Sequence, residues 1–242
     1  MNQRSNWAAV FDFDGTLISS EYTAAFVVLM QHPLVSDVMV TELEDLTRKY
    51  IGLYRSDSMS LHDEIAWVEA AAEIFSRHEL REQVIDDVFS GVAVRPGVRE
   101  CWVKLRRRGV PIGVVSYGFA PFIRSILRQN GLLEMTSGVM AQELIFDDAG
   151  RCSGWTSGSA AIPRYKGLRS VAFASAYGVN RGQILAVGDS SGDKNLGHLK
   201  RYRLGVVEKP EDVSLVSPYM GEVIVDPDFT AVADWLFSKI DG

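Results

Sequence analysis

Apolar and polar positions along this chain fall into two regimes. Beyond Gly91, short apolar runs alternate with stretches whose apolar residues recur every three or four positions, the pattern of parallel strands joined by helices. The spacing predicts strands through Val10, Phe11 and Phe13, over 110–116 and 183–187, and near 204–207 and 223–225. It predicts helices over 96–105, 119–129, 166–177 and 229–240. Met140 to Phe146 and a stretch after Cys152 flank Asp147-Asp148-Ala149-Gly150, which reads as a hairpin turn. Between Ile18 and Arg95 no convincing strand occurs. Thr41-Glu42-Leu43-Glu44 fits a helix-opening capping box, Ser60-Leu61-His62-Asp63 is a weaker relative, and Ile65, Val68, Ala72 and Phe75 recur at helical spacing. The expected architecture is an α/β core from residues 1–18 and 95–242, with a helical insert at 19–94 after the first strand. An insert leaving there stands over the carboxyl edge of the sheet, as a lid would.

Composition narrows the classes without naming one. The 242 residues are 47% hydrophobic and 23% charged, enough for one large core or a core and a satellite. A net charge of −6 argues against non-specific nucleic-acid binding. The basic cluster Arg106-Arg107-Arg108 sits where a helix ends before Gly109, so it complements the helix dipole. No apolar run reaches membrane-span length, and the polar start before the first strand leaves no room for a signal peptide. Cys101 and Cys152 lack metal-site spacing and are expected to be reduced thiols of a cytoplasmic protein. Oligomeric state is not readable.

The chemistry starts where the first strand gives way to Asp12-Phe13-Asp14-Gly15-Thr16. Two carboxylates this close repel unless a cation lies between them, and they are hard oxygen ligands of the kind Mg²⁺ prefers. Three further elements are expected at the same sheet edge: Ser116 ending an apolar strand, Lys166 opening a helix, and Gly188-Asp189-Ser190-Ser191-Gly192-Asp193 at another strand end. Singly, each is commonplace: a turn, a strand-terminal hydroxyl, a solvated helix start, a loop. Their order and placement at strand ends make the set specific.

In that order the four elements resemble the haloacid dehalogenase superfamily of phosphatases, whose core is a Rossmann-like parallel sheet. The resemblance implies that Asp12 is the nucleophile forming an aspartyl-phosphate, and that Asp14 protonates the leaving oxygen and then activates water. It implies that Thr16 and Ser116, with the adjoining Tyr117, bind the phosphoryl group while Lys166 neutralises its charge. Mg²⁺ would be held by Asp12, the Asp14 backbone carbonyl and Asp189, with Asp193 orienting the shell. The dehalogenases lack the second aspartate, so Asp14 argues for phosphate chemistry. The substrate implied is a small phosphomonoester.

Two branches compete for that substrate. The phosphoserine phosphatases carry a glutamate where Glu21 stands, but a second small residue where Tyr117 stands and Asn where Gly192 stands. The cytosolic pyrimidine 5'-nucleotidases are similar over 162–168 and 188–193 and use a glutamate and aromatic residues near the base, parts that Glu64 and Trp67 fit. Trp67 fits the core of the lid at least as well. A phosphotransferase or mutase of the same fold, and a non-catalytic binding protein that keeps it, are the alternatives.

Overall fold

The computed structural model describes residues 5–19, 25–156, 161–225 and 228–242; Glu21 lies outside the described residues. Strand β1 (Ala8–Phe11) is wholly buried and becomes the centre of a six-stranded sheet. Its partners are β2 (Ile112–Phe119) and β6 (Ile184–Gly188), with β3 (Gly138–Gln142) outside β2, and β7 (Arg203–Val207) and β8 (Glu222–Val225) outside β6. Every pairing is parallel, with Phe11 opposite Val114 on one side and Val187 on the other. Strands buried on both faces need continuous apolar sequence, which Ala8-Ala9-Val10-Phe11 and Ile184-Leu185-Ala186-Val187 supply. From β1 the chain winds first towards β3 and later towards β8. The order therefore reverses between β1 and β6, and a crevice opens at their carboxyl ends.

Helices α5 (Val98–Arg107), α6 (Ala120–Gln129), α7 (Lys166–Ala176), the one-turn α8 (Val213–Val216) and α9 (Thr230–Asp241) accompany the sheet. Phe11 meets Trp102 of α5 and Phe229 before α9, at ring separations of 5.7 and 6.1 Å. Strand β2 runs past Ser116 to Phe119, so Ser116 is an interior strand residue and not the last.

Between β1 and α5 lie α1 (Ala25–Met30), α2 (Asp37–Arg55), α3 (Leu61–Arg77) and α4 (Glu82–Val88). The chain leaves and re-enters the core at adjoining points, where Ile18 bridges Val94 and Arg95 N–H donates to Leu17. Two expectations need correction here. The box at Thr41 does not open a helix: α2 starts earlier, capped by Ser36 on the Met39 amide, and the Thr41 hydroxyl is satisfied by the Asp37 carbonyl. The weaker box at Ser60 is the real one, with Ser60 and Asp63 exchanging both bonds. Met140 to Phe146 is likewise two strands. The first part joins the sheet as β3, and only β4 (Leu144–Phe146) pairs antiparallel with β5 (Cys152–Trp155). That hairpin belongs with the helices, since Cys152 N–H donates to Leu80 and Glu82 N–H to Gly150. Among the described residues no helix is long and apolar enough to cross a membrane.

Candidate active site

The turn after β1 winds around one atom: the amides of Thr16, Leu17 and Ile18 all point at the Phe13 carbonyl. Winding so tightly puts Gly15 at φ 73°, where a side chain is strained, and a Cβ there would sit 2.2 Å from an Asp189 oxygen. Gly188 meets the same limit, since its Cβ would lie 2.5 Å from the Asp193 carboxylate. The two glycines are what allow the β1 and β6 loops to bring their acids together.

Carboxylate oxygens of Asp12, Asp189 and Asp193 lie within 4.8 Å of one another. Lys166, at the start of α7, donates to Asp12 Oδ1 at 2.8 Å and Asp193 Oδ1 at 2.7 Å, with its side chain only 2% exposed. Asp193 is fully engaged: its other oxygen accepts the Asp189 and Ser190 amides at 3.1 and 3.3 Å. It fixes the loop and the lysine. One ammonium facing three acids leaves uncompensated negative charge. Burial and the Asp193 carboxylate push Asp12 up to about 7 against the pull of Lys166. Burial, Asp193 and Asp12 push Asp189 well above the usual carboxylate range. Burial works against charge on Lys166, but its two acidic partners outweigh it and keep the ammonium protonated.

Asp14 points elsewhere, accepting the Ala25 amide at 2.7 Å. Burial raises its pKa against that bond, which favours a carboxyl that can carry a proton. A Cβ on Gly118 would sit 3.3 Å from Ser116 Oγ and 3.4 Å from Asp14 Oδ2, so hydroxyl and carboxyl border a common spot. Ser116 Oγ accepts the Gly118 amide, and its own proton has no acceptor among the described residues. Thr16, completely buried, gives its hydroxyl proton to Asp189 at 3.2 Å.

A cavity of about 320 Å³ opens over these groups, lined by Asp12, Asp14, Ser116, Lys166 and Asp189 below. Its upper wall holds Tyr54 and Arg55 of α2, Trp67 of α3, and Tyr117. A second, more polar recess shares Gly15, Tyr54, Arg55, Asp189 and Ser190 with it and extends towards Lys209. Tyr117 turns its hydroxyl to the Glu64 carbonyl at 2.5 Å, so its side chain forms part of the cavity wall. Its ring packs on Tyr54 and Trp67. Glu64 lies behind that wall. One carboxylate oxygen takes Arg164 Nε at 3.1 Å, and the other is buried with no partner among the described residues. Burial raises Glu64 against the pull of Arg164.

Helical segment and core are also tied by Lys194 on both oxygens of Asp57 at 2.6 Å and by Arg164 on the Met59 carbonyl at 2.6 Å. Tyr54 and Arg55 were missed from sequence. The available signal was the apolar stripe of Leu43, Leu46, Tyr50 and Tyr54 along one face of α2.

The sequence model of the haloacid dehalogenase-like hydrolases matches residues 9–198, from β1 through the Asp189–Asp193 loop. The chain belongs to that family. Curated relatives include phosphoserine phosphatase SerB2 of Mycobacterium tuberculosis, 33% identical over 156 residues, covering 58% of this chain and 34% of that protein. The phosphoserine phosphatase of Streptomyces coelicolor is 28% identical over 196 residues, covering 81% of this chain and 43% of the relative. The chain thus spans less than half the length of either. Among solved structures, cytosolic 5'-nucleotidase IIIB bound to cytidine superposes with a TM-score of 0.79 at 21% identity, over 98% of this chain and 86% of that one. A phospho-aspartyl intermediate analogue of phosphoserine phosphatase gives 0.64 at 19%, over 96% and 99%. At those identities the likeness is one of fold, and it covers the helical segment as well as the sheet.

Proposed function

We propose that this protein is a Mg²⁺-dependent phosphomonoesterase that works through a phosphorylated Asp12. The observation that carries the reading is the group of three close acids, two of them buried and bonded to one lysine, beneath a cavity. Relatives that are phosphoserine phosphatases support it.

The residues fit a divalent cation. Their carboxylates are close, hard, and short of positive charge, and burial together with neighbouring acids raises Asp12 and Asp189. Asp12, Asp189 and the Asp14 carbonyl would hold it, and Asp193 would position the loop. When bound, the ion neutralises charge on the transferring phosphoryl group.

The chain's own groups do the rest. Lys166 holds Asp12 in place and favours its ionised form, against burial and Asp193, for attack on phosphorus. As the new bond forms, the bond to the substrate's alcohol oxygen breaks, and Asp14 delivers its proton to that oxygen. Water then attacks phosphorus, Asp14 takes the proton, and the bond to Asp12 breaks to release phosphate. Ser116 donates its free hydroxyl proton to a phosphoryl oxygen, and Thr16 acts by steadying Asp189. We take residues 19–94 as a lid that excludes water. Arg55 lines both recesses and has no partner among the described residues, so it favours an anionic ligand. Two buried, unpaired cysteines fit a reducing compartment such as the cytoplasm.

Phosphate release from p-nitrophenyl phosphate, phosphoserine, nucleoside monophosphates and sugar phosphates, with Mg²⁺ and with chelator, tests this. Metal-dependent release is expected. Release that survives chelator, or turnover only when an acceptor alcohol is supplied, would replace the reading.

A further inference from the structure

The floor of the cavity is charged, whereas the described residues of its roof are mostly apolar. Leu43, Leu46 and Ile51 of α2 converge with Val68 and Ala71 of α3 and Phe122 of α6. Two of the roof's polar side chains are already committed, and Arg55, unpaired among the described residues, stands where the cavity meets the second recess. Thr47 gives its hydroxyl to the Leu43 carbonyl at 2.7 Å, and Tyr117 gives its own to Glu64. The rings leave no slot either. Holding a flat base between two rings requires two contact gaps of about 3.5 Å each. Tyr54 and Tyr117 are near-parallel with centroids 6.2 Å apart, and Trp67 closes on both at 6.0 and 5.8 Å. These side chains pack on each other and form a wall.

We propose that this cavity takes the organic part of the substrate as an apolar chain, so that the substrate class is the phosphate monoester of an aliphatic alcohol. The proposal rests on the phosphatase reading of the floor and adds what the roof selects. Among the described residues the roof offers a zwitterionic amino acid no acid for its ammonium, and a nucleobase would strand its polar edges. An alkyl chain needs no partner and gains contact with each carbon buried. At about 320 Å³ the space lies at the small end of ligand cavities, which run from roughly 300 to 1,000 Å³. Short and medium chains fit that size. An aliphatic alkoxide is also a poor leaving group, and Asp14 is placed to protonate it.

The test measures kcat/KM with Mg²⁺ for ethyl, butyl and hexyl phosphate beside phosphoserine and CMP, and the calorimetric affinity of hexylphosphonate against methylphosphonate. Each added methylene is expected to raise kcat/KM about fourfold. Butyl and hexyl phosphate should exceed both phosphoserine and CMP. Leu46→Asp should lower the ratio of hexyl to ethyl phosphate turnover. A flat or falling dependence on chain length, or a preference for phosphoserine or CMP over hexyl phosphate, overturns the proposal. If even p-nitrophenyl phosphate is not hydrolysed, the phosphatase reading has failed and the phosphonates judge the cavity alone. Hexylphosphonate binding at least about tenfold tighter than methylphosphonate sustains the apolar assignment, and equal affinities refute it.

Discussion

The floor and the roof of this cavity are built on opposite principles. On the floor, three elements distant in sequence place charges against one another within a few ångströms, and the arrangement is held by specific bonds such as Lys166 to Asp12 and Asp193. The roof is held by apolar and aromatic packing along α2 and α3, and a few peripheral ion pairs bring it down on the core. Charge placement tolerates little substitution, because removing one partner strands the others. Packing tolerates more. On the proposed reading, the floor therefore fixes what reaction is possible and the roof is free to choose what undergoes it.

The largest expected effect comes from breaking the floor. Lys166→Met removes the cation between two buried acids and should destabilise the metal-free protein by about 3–5 kcal/mol in denaturant titration, besides silencing it. A wild-type midpoint would show that the acids are not coupled to the lysine as described. Asp14→Asn should cut turnover of an alkyl phosphate by about 10²–10⁴-fold, and turnover of p-nitrophenyl phosphate less, because nitrophenolate leaves without a proton. Equal losses on the two substrates would deny Asp14 the acid role.

The metal and pH sharpen the same contrast. Burial and Asp193 raise Asp12 from an unfolded value near 3.8 to about 7, so across that window the folded metal-free protein holds a proton that the unfolded chain has released. Its stability should fall as pH rises through it, and Mg²⁺ should restore what is lost. The rise in Tm on adding Mg²⁺ is thus expected to be larger at pH 8 than at pH 5; the reverse order would contradict the charge deficit. The smallest effect belongs to the latch between roof and floor. Asp57→Ala removes an exposed pair with Lys194 and should cost under about 1 kcal/mol, while raising KM a few-fold with kcat kept.

The same contrast explains what could be read before the structure. Asp12, Asp14, Lys166, Asp189 and Asp193 were legible because their chemistry demands those side chains at strand ends, and Gly15 and Gly188 because loops this tight admit no Cβ. Sheet and helices followed from apolar period. The roof was legible only as helices. Leu43, Leu46, Tyr54 and Trp67 look the same in sequence whether they fill a core or line a cavity, and only the packing of α2 on α3 separates the two. Local signals misled where tertiary structure overrode them. Thr41 carries the stronger capping sequence, yet α2 begins at Asp37 and absorbs it, and Met140 continues β3 because β2 offers it an open edge. Glu64 was found as a candidate, but its engagement with Arg164, some hundred residues later, left no trace in local sequence.

The central claim is that Asp12 takes the phosphoryl group. Steady-state phosphate release from p-nitrophenyl phosphate by wild-type protein and Asp12→Asn, both in Mg²⁺ and both shown by circular dichroism to be folded, tests it most directly. The account predicts turnover in the wild type, none above background in the variant, and none in either with chelator. Turnover retained by folded Asp12→Asn would contradict it.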